Sequence, residues 1–204
     1  TNKYKKTDNL RLAHKHLTKA EKLNQKSASI KNSLGILASK DNKEQLAINY
    51  YQQALEIDPC YAQVHFNLGL CYLKLDQITQ ASHAFTQAIN LQKDNALAYH
   101  QLGQIHYSQK NYELAIQNYQ QVIKHQPNYS LAYHQLGCIY CELKDYALAI
   151  NHFTQAIEKQ PDHAESQHNL AALYSKQHDY AQALPHWLKS IQNTQPNVES
   201  LSSI

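Results

Sequence analysis

The chain has 204 residues, of which 43% are hydrophobic and 17% charged, and a formal net charge of +3. With only four Gly and five Pro this balance excludes a disordered or collagen-like chain, and the length allows a substantial buried core. No apolar run approaches the roughly 20 residues that span a bilayer, and no secretory leader is visible. The chain opens on Thr1 and contains no Met, so the expectation is a fragment or a processed chain, resident in the cytoplasm. Cys60, Cys71, Cys138 and Cys141 stand in a chain long enough to have a core, so they read as free thiols rather than a disulfide framework.

The first segment is basic. Residues 1–31 hold nine Lys and Arg against Asp8 and Glu21, a local charge of +7, whereas the remainder holds ten against fourteen, or −4. Such an arm suits nucleic acid or acidic lipid. Tyr4 is the only aromatic residue interleaved with the charges, which favours a solvated helix, so no nucleic-acid partner is expected.

From residue 28 onward a period takes over. Gly35, Gly69, Gly103 and Gly137 are spaced by 34, and the next position in the series is Ala171. A fixed period of this size signals an array of repeated supersecondary units. The residue before each is Leu (Leu34, Leu68, Leu102, Leu136, Leu170), and three after come Ala38, Tyr72, His106, Tyr140 and Tyr174. Together with the position four before, these lie along one helical stripe. The glycine sits inside it, where it costs up to about 1 kcal/mol relative to Ala, so close approach of a second helix is expected there.

The second helix follows at fixed distance. Twelve after the glycine come Ala47, Ala81, Ala115, Ala149 and Ala183, sixteen after come Tyr51, Phe85, Tyr119, Phe153 and Trp187, and nineteen after come Ala54, Ala88, Val122, Ala156 and Ser190. Pro59, Pro127 and Pro161 close this helix, and Pro196 comes one residue late. Five units result, 28–61, 62–95, 96–129, 130–163 and 164–197. Each is a helical hairpin that cannot bury both faces alone, so neighbours must stack. Ala13, Leu17 and Ala20 repeat the second-helix pattern, which makes residues 1–27 a basic N-terminal helix forming a partial repeat. Residues 198–204 read as the start of a further front helix, and Pro185 is expected to bend or weaken the last back helix.

These residues resemble the tetratricopeptide repeat, Trp-x2-Leu-Gly-x2-Tyr followed by Ala-x3-Phe and Pro. The resemblance implies an all-α fold, a right-handed superhelical solenoid of stacked antiparallel helix pairs whose front helices line a concave groove. It also implies a scaffold that binds an extended peptide or partner. The repeats are most similar to the arrays of O-GlcNAc-transferase-type proteins, which carry an Asn ladder two residues before the glycine. That column holds Ser33, Asn67, Gln101, Gln135 and Asn169, with Ser33 departing from the pattern. A side-chain amide donates and accepts, so it can pair with any peptide backbone. The clamp of heat-shock-chaperone adaptors opens with Lys three before the glycine; here stand Asn32, Phe66, His100, His134 and His168, so that mode is not expected.

By the same resemblance, the columns three before, one after and four after the glycine face the groove. Its expected lining is Phe66, Asn67 and Leu70, then His100, Gln101, Gln104 and Tyr107, then His134, Gln135, Cys138 and Cys141, then His168 and Asn169. His134, Cys138 and Cys141 are zinc-type ligands, but the first and last lie seven residues apart, about 10 Å along a helix, and do not close on one ion unaided. No metal, cofactor or catalytic constellation is expected: no phosphate loop, nucleophile motif or converging carboxylate pair is present. The competing reading is the substrate-recruiting region of a larger enzyme, a glycosyltransferase or methyltransferase, with catalysis elsewhere. Self-association through terminal repeats is a further partner expectation.

Overall fold

The computed structural model describes residues 2–194, with side chains from 11 to 192. Residues 195–204, and with them Pro196 and the expected start of a further front helix, lie outside the described residues. The described part contains only helices: α1 (Asn2–Leu23), then five front and back pairs. These are α2 (Ala28–Lys40) with α3 (Glu44–Ile57), α4 (Ala62–Lys74) with α5 (Ile78–Leu91), α6 (Ala96–Ser108) with α7 (Tyr112–His125), α8 (Ser130–Glu142) with α9 (Tyr146–Lys159), and α10 (Ala164–Lys176) with α11 (Tyr180–Thr194). No helix among the described residues is long and apolar enough to cross a membrane.

The hairpin ends follow from local chemistry. Ser27 caps α2 by accepting from the Ile30 N–H at 3.3 Å, and the Asp145 carboxylate caps α9 through the Leu148 N–H at 3.1 Å. Every front helix ends in the same way. Asn42, Asp76, Lys110, Lys144 and His178 take a left-handed backbone with φ between 57° and 62°. The next residue then donates back into the helix, as from Lys43 N to Ala38 O at 2.9 Å and from Asp145 N to Tyr140 O at 2.9 Å. This is the Schellman arrangement, built here without glycine. Pro59, Pro127 and Pro161 stand two residues beyond α3, α7 and α9. α11 runs through Pro185, whose missing N–H deprives only the Ala181 carbonyl of its helical partner.

The periodic glycines have a direct cause. A Cβ on Gly35 would lie 2.5 Å from the Tyr51 ring, on Gly69 2.7 Å from Phe85, and on Gly137 2.6 Å from Phe153. In these hairpins the large ring of the back helix comes so close to the front helix that a residue without a side chain is needed to admit it. Tyr51, Phe85, Tyr119 and Phe153 are fully buried, as are the alanines at the twelve-after column. Burying such a ring is worth roughly 1.5–3 kcal/mol, which outweighs the helix propensity lost at the glycine.

The chain forms two compact units, residues 1–105 and 106–204, with the division inside α6. In the first, one cluster gathers Ala47, Tyr51, Ala54, Val64 and Cys71, and a second gathers Phe66, Phe85, Ala88, Ala98 and Ile105. α1 joins the first front helix, with Ala13, Leu17 and Ala20 half-buried and the Lys31 ammonium bonding both Glu21 and Gln53. In the second unit, Ala149, Phe153, Leu170 and Leu173 form the core between its last two hairpins.

Candidate functional site

In the first unit the expected groove residues divide by burial. Phe66 is 9% exposed, with its ring 5.6 Å from that of Phe85, and Leu70 is half-buried against the same cluster. The Asn67 amide donates to Asn32 Oδ1 at 3.1 Å, linking the first two front helices, and accepts from Gln63 at 3.0 Å. His100 is 4% exposed, and burial lowers its pKa. Gln101 is half-buried and Gln104 exposed.

In the second unit the expected residues draw together around the fourth and fifth hairpins. Tyr107 is half-buried, 6.1 Å from the Tyr112 ring, and Gln135 is half-buried. His134 is 5% exposed rather than open on a groove wall. The following front helix, α10, covers it: its Nδ1 meets Ser166 Oγ at 2.9 Å. Its Nε2 lies 3.5 Å from Cys138 Sγ and 3.6 Å from a Glu165 carboxylate oxygen. The His163 and Phe153 rings flank it at 4.9 and 5.5 Å. Burial, reinforced by His163 and opposed by Glu165, pushes the His134 pKa down to about 4. At neutral pH this imidazole is therefore uncharged, and its contact with Glu165 is a polar contact rather than an ion pair.

The same enclosure acts on the thiols. Burial pushes Cys138 up to about 12, with Cys141 and Glu165 adding, and it also raises Cys141. Neither is a thiolate at neutral pH, so neither is a ready nucleophile. Among the described residues no group of three or more His, Cys, Asp or Glu side chains is placed to hold a metal ion. The Asn169 amide points at Cys138 Sγ, 3.8 Å away, again linking successive hairpins. His168 is exposed and stands edge-on to Trp187 at 4.6 Å.

His134, His168 and Asn169 share one cavity of about 320 Å³ with Ala164, Glu165 and Ser190. Cys141 and Gln135 do not line it. Three members of this neighbourhood escape the offset reading: Glu165, Ser166 and His163. Ser166 carries a signal, because its column otherwise holds Ile30, Val64, Ala98 and Ala132. A hydroxyl in an apolar column marks a buried polar partner. His163 adds to it by accepting from the Ser166 N–H at 3.2 Å and capping α10. Chemically the cavity offers a neutral imidazole, an amide and the carboxylate of Glu165, whose side chain is 78% exposed.

Family models described as tetratricopeptide repeat match residues 62–95, 94–162 and 152–184, and one described as TPR repeat matches 42–76. The chain belongs to the tetratricopeptide-repeat family. No curated protein sequence matches it significantly. Several solved structures are similar in fold. YrrB, a TPR protein with an unusual peptide-binding site, is 24% identical, with a TM-score of 0.72 over 90% of this chain and 94% of its own. MamA from Desulfovibrio magneticus RS-1 is 18% identical, with a TM-score of 0.73 over 86% of this chain and 97% of its own. PilF from Pseudomonas aeruginosa is 23% identical, with a TM-score of 0.73 over 85% and 79%. At these identities the likeness speaks for the fold.

Proposed function

We propose that this TPR chain is a protein-interaction scaffold that receives an extended peptide on its front helices, with the cavity of the fourth and fifth hairpins as an anchoring point. One observation carries the reading: His134, Glu165, His168 and Asn169 converge on a single cavity of about 320 Å³. The exposed His168 imidazole and the Asn169 amide both offer hydrogen-bonding atoms suited to a peptide backbone or polar side chain, with the buried His134 behind them. The binding of peptide by YrrB, similar in fold, agrees with this reading.

Gln101 and Gln135 complete the proposed amide ladder of the kind seen in O-GlcNAc-transferase-type arrays. Asn67 and Asn169 also serve the scaffold itself, because each contacts the preceding hairpin. His100 and His134 are read as supports of the groove wall, and Phe66 and Leu70 as its apolar stretch. The raised thiol of Cys138 supports a non-catalytic role.

The test is an array of random twelve-residue peptides presented to the wild-type chain and to a His168→Ala/Asn169→Ala variant. Captured peptides are expected to bind the variant at least tenfold more weakly. If the variant, folded by circular dichroism, retains every captured peptide at wild-type affinity, the cavity is not the anchoring point.

A further inference from the structure

A second cavity lies in the first unit, against a different set of columns. In the fourth hairpin the ring three after the glycine stacks on the ring fifteen after it: Tyr140 and His152 lie 5.3 Å apart and within 3° of parallel. In the fifth, Tyr174 and His186 repeat this at 6.0 Å and 18°. These pairs fill the crevice beside the front helix with aromatic surface from the chain itself. In the first hairpin the corresponding residues are Ala38 and Tyr50. The back helix keeps its ring, but Ala38 gives it nothing to stack on.

A cavity of about 300 Å³ lies at this place, between α1, α2 and α3. Its apolar wall comes from Leu34 and Leu46 beside the Tyr50 ring, and Arg11 and His14 of α1 close the other side. Lys43 and Asp41 also border it, but they pair with each other at 2.6 Å and largely cancel. Arg11 therefore sets the sign of the charge presented to an occupant. None of the lining residues belongs to the columns read as the peptide groove, so this site does not depend on that reading.

We propose that this cavity binds the C-terminal aromatic residue of a partner protein. The ring would rest on Tyr50 where Tyr140 rests on His152, and the terminal carboxylate would meet the Arg11 guanidinium. The chain's own repeats show what fits the crevice, since Tyr72, Tyr140 and Tyr174 occupy the column that Ala38 leaves short. The guanidinium is the side chain best shaped for a carboxylate, which it can grip with two parallel hydrogen bonds. A C-terminal aromatic residue carries ring and carboxylate on one Cα, which matches a cavity of single-residue size.

The test uses the whole chain and a fluorescein-labelled octapeptide that ends in Phe with a free carboxylate. Saturable binding is expected, weakened at least tenfold in the C-terminal amide and in a peptide ending in Ala. Ala38→Tyr, which restores the filling found in other hairpins, should lower affinity at least tenfold while helicity and capture of groove peptides persist. If Ala38→Tyr does not fold, Arg11→Gln decides, because it should erase the preference for the acid over the amide. Equal binding of acid and amide by the wild type overturns the proposal, as does unchanged binding in the folded variants. Equally tight binding of a peptide with an internal Phe-Asp overturns the terminal-residue assignment.

Discussion

The fourth and fifth hairpins are built on the same columns yet hold their signature residues differently. In the fourth, Gly137 lies under Phe153, which is fully buried, and His134 is sealed beneath α10. In the fifth, Ala171 replaces the glycine, Trp187 is half-buried and donates to Ser175 Oγ at 3.4 Å, and His168 faces outward. The residue three before the glycine is thus not intrinsically a groove residue or a core residue. Its burial in the fourth hairpin is set by the front helix of the next one, through Ser166. A column in an array has a fixed direction, but its environment is a property of the neighbouring repeat.

The difference between the two hairpins depends most on Phe153. Phe153→Ala removes the ring from a fully buried site and should cost about 3–5 kcal/mol, read from urea unfolding. The next effect concerns acid. The folded pKa of His134 lies near 4, below its ordinary value of 6.5, so the unfolded chain takes up the proton first. Stability is therefore complete above about pH 6.5 and is lost as pH falls towards 4, by up to about 3 kcal/mol from this residue. His134→Gln should flatten part of that slope in unfolding titrations at pH 7 and pH 4.5. Part remains, because burial also lowers His152 and His186.

Exchanging the small residues sharpens the contrast. Gly137→Ala places a Cβ 2.6 Å from Phe153 and should cost roughly 1–3 kcal/mol despite the better helix propensity. Ala171→Gly removes a fully buried methyl beside the half-buried Trp187 and relieves no clash, so it should cost about 1–2 kcal/mol from propensity and lost burial together. Thermal melts of the two variants, compared directly, read this difference. The smallest effect is expected at the seam between the two hairpins. Lys176 stands 4.2 Å from the centre of the Tyr146 ring and bonds its hydroxyl at 2.6 Å. Lys176→Ala should cost about 0.5–1 kcal/mol in the same melts.

The framework of hairpins was legible because each hairpin is specified by letters that recur every 34 residues: Leu before Gly, Ala at twelve after, a ring at sixteen after. These letters act within one hairpin or between immediate neighbours, so a one-dimensional reading captures them. The candidate site was less legible. Its column offsets were readable, but the cover over His134 depends on Ser166 of the following repeat and on His163, which caps that repeat's front helix, and neither residue recurs in its column. The cavity by Tyr50 was also hidden, because it arises from a residue that is too small, and an absent ring gives no pattern of its own.

The turns between front and back helices bear on how the array comes apart. Asn42, Asp76 and His178 are of the types that tolerate a left-handed backbone, whereas Lys110 and Lys144 hold it at a cost on the order of 1 kcal/mol each. Since each turn acts on its own hairpin and little beyond, that cost is not shared out along the chain. Graded fraying is therefore expected: the third and fourth hairpins, turned by Lys, should exchange their amide hydrogens sooner than the first two, turned by Asn and Asp.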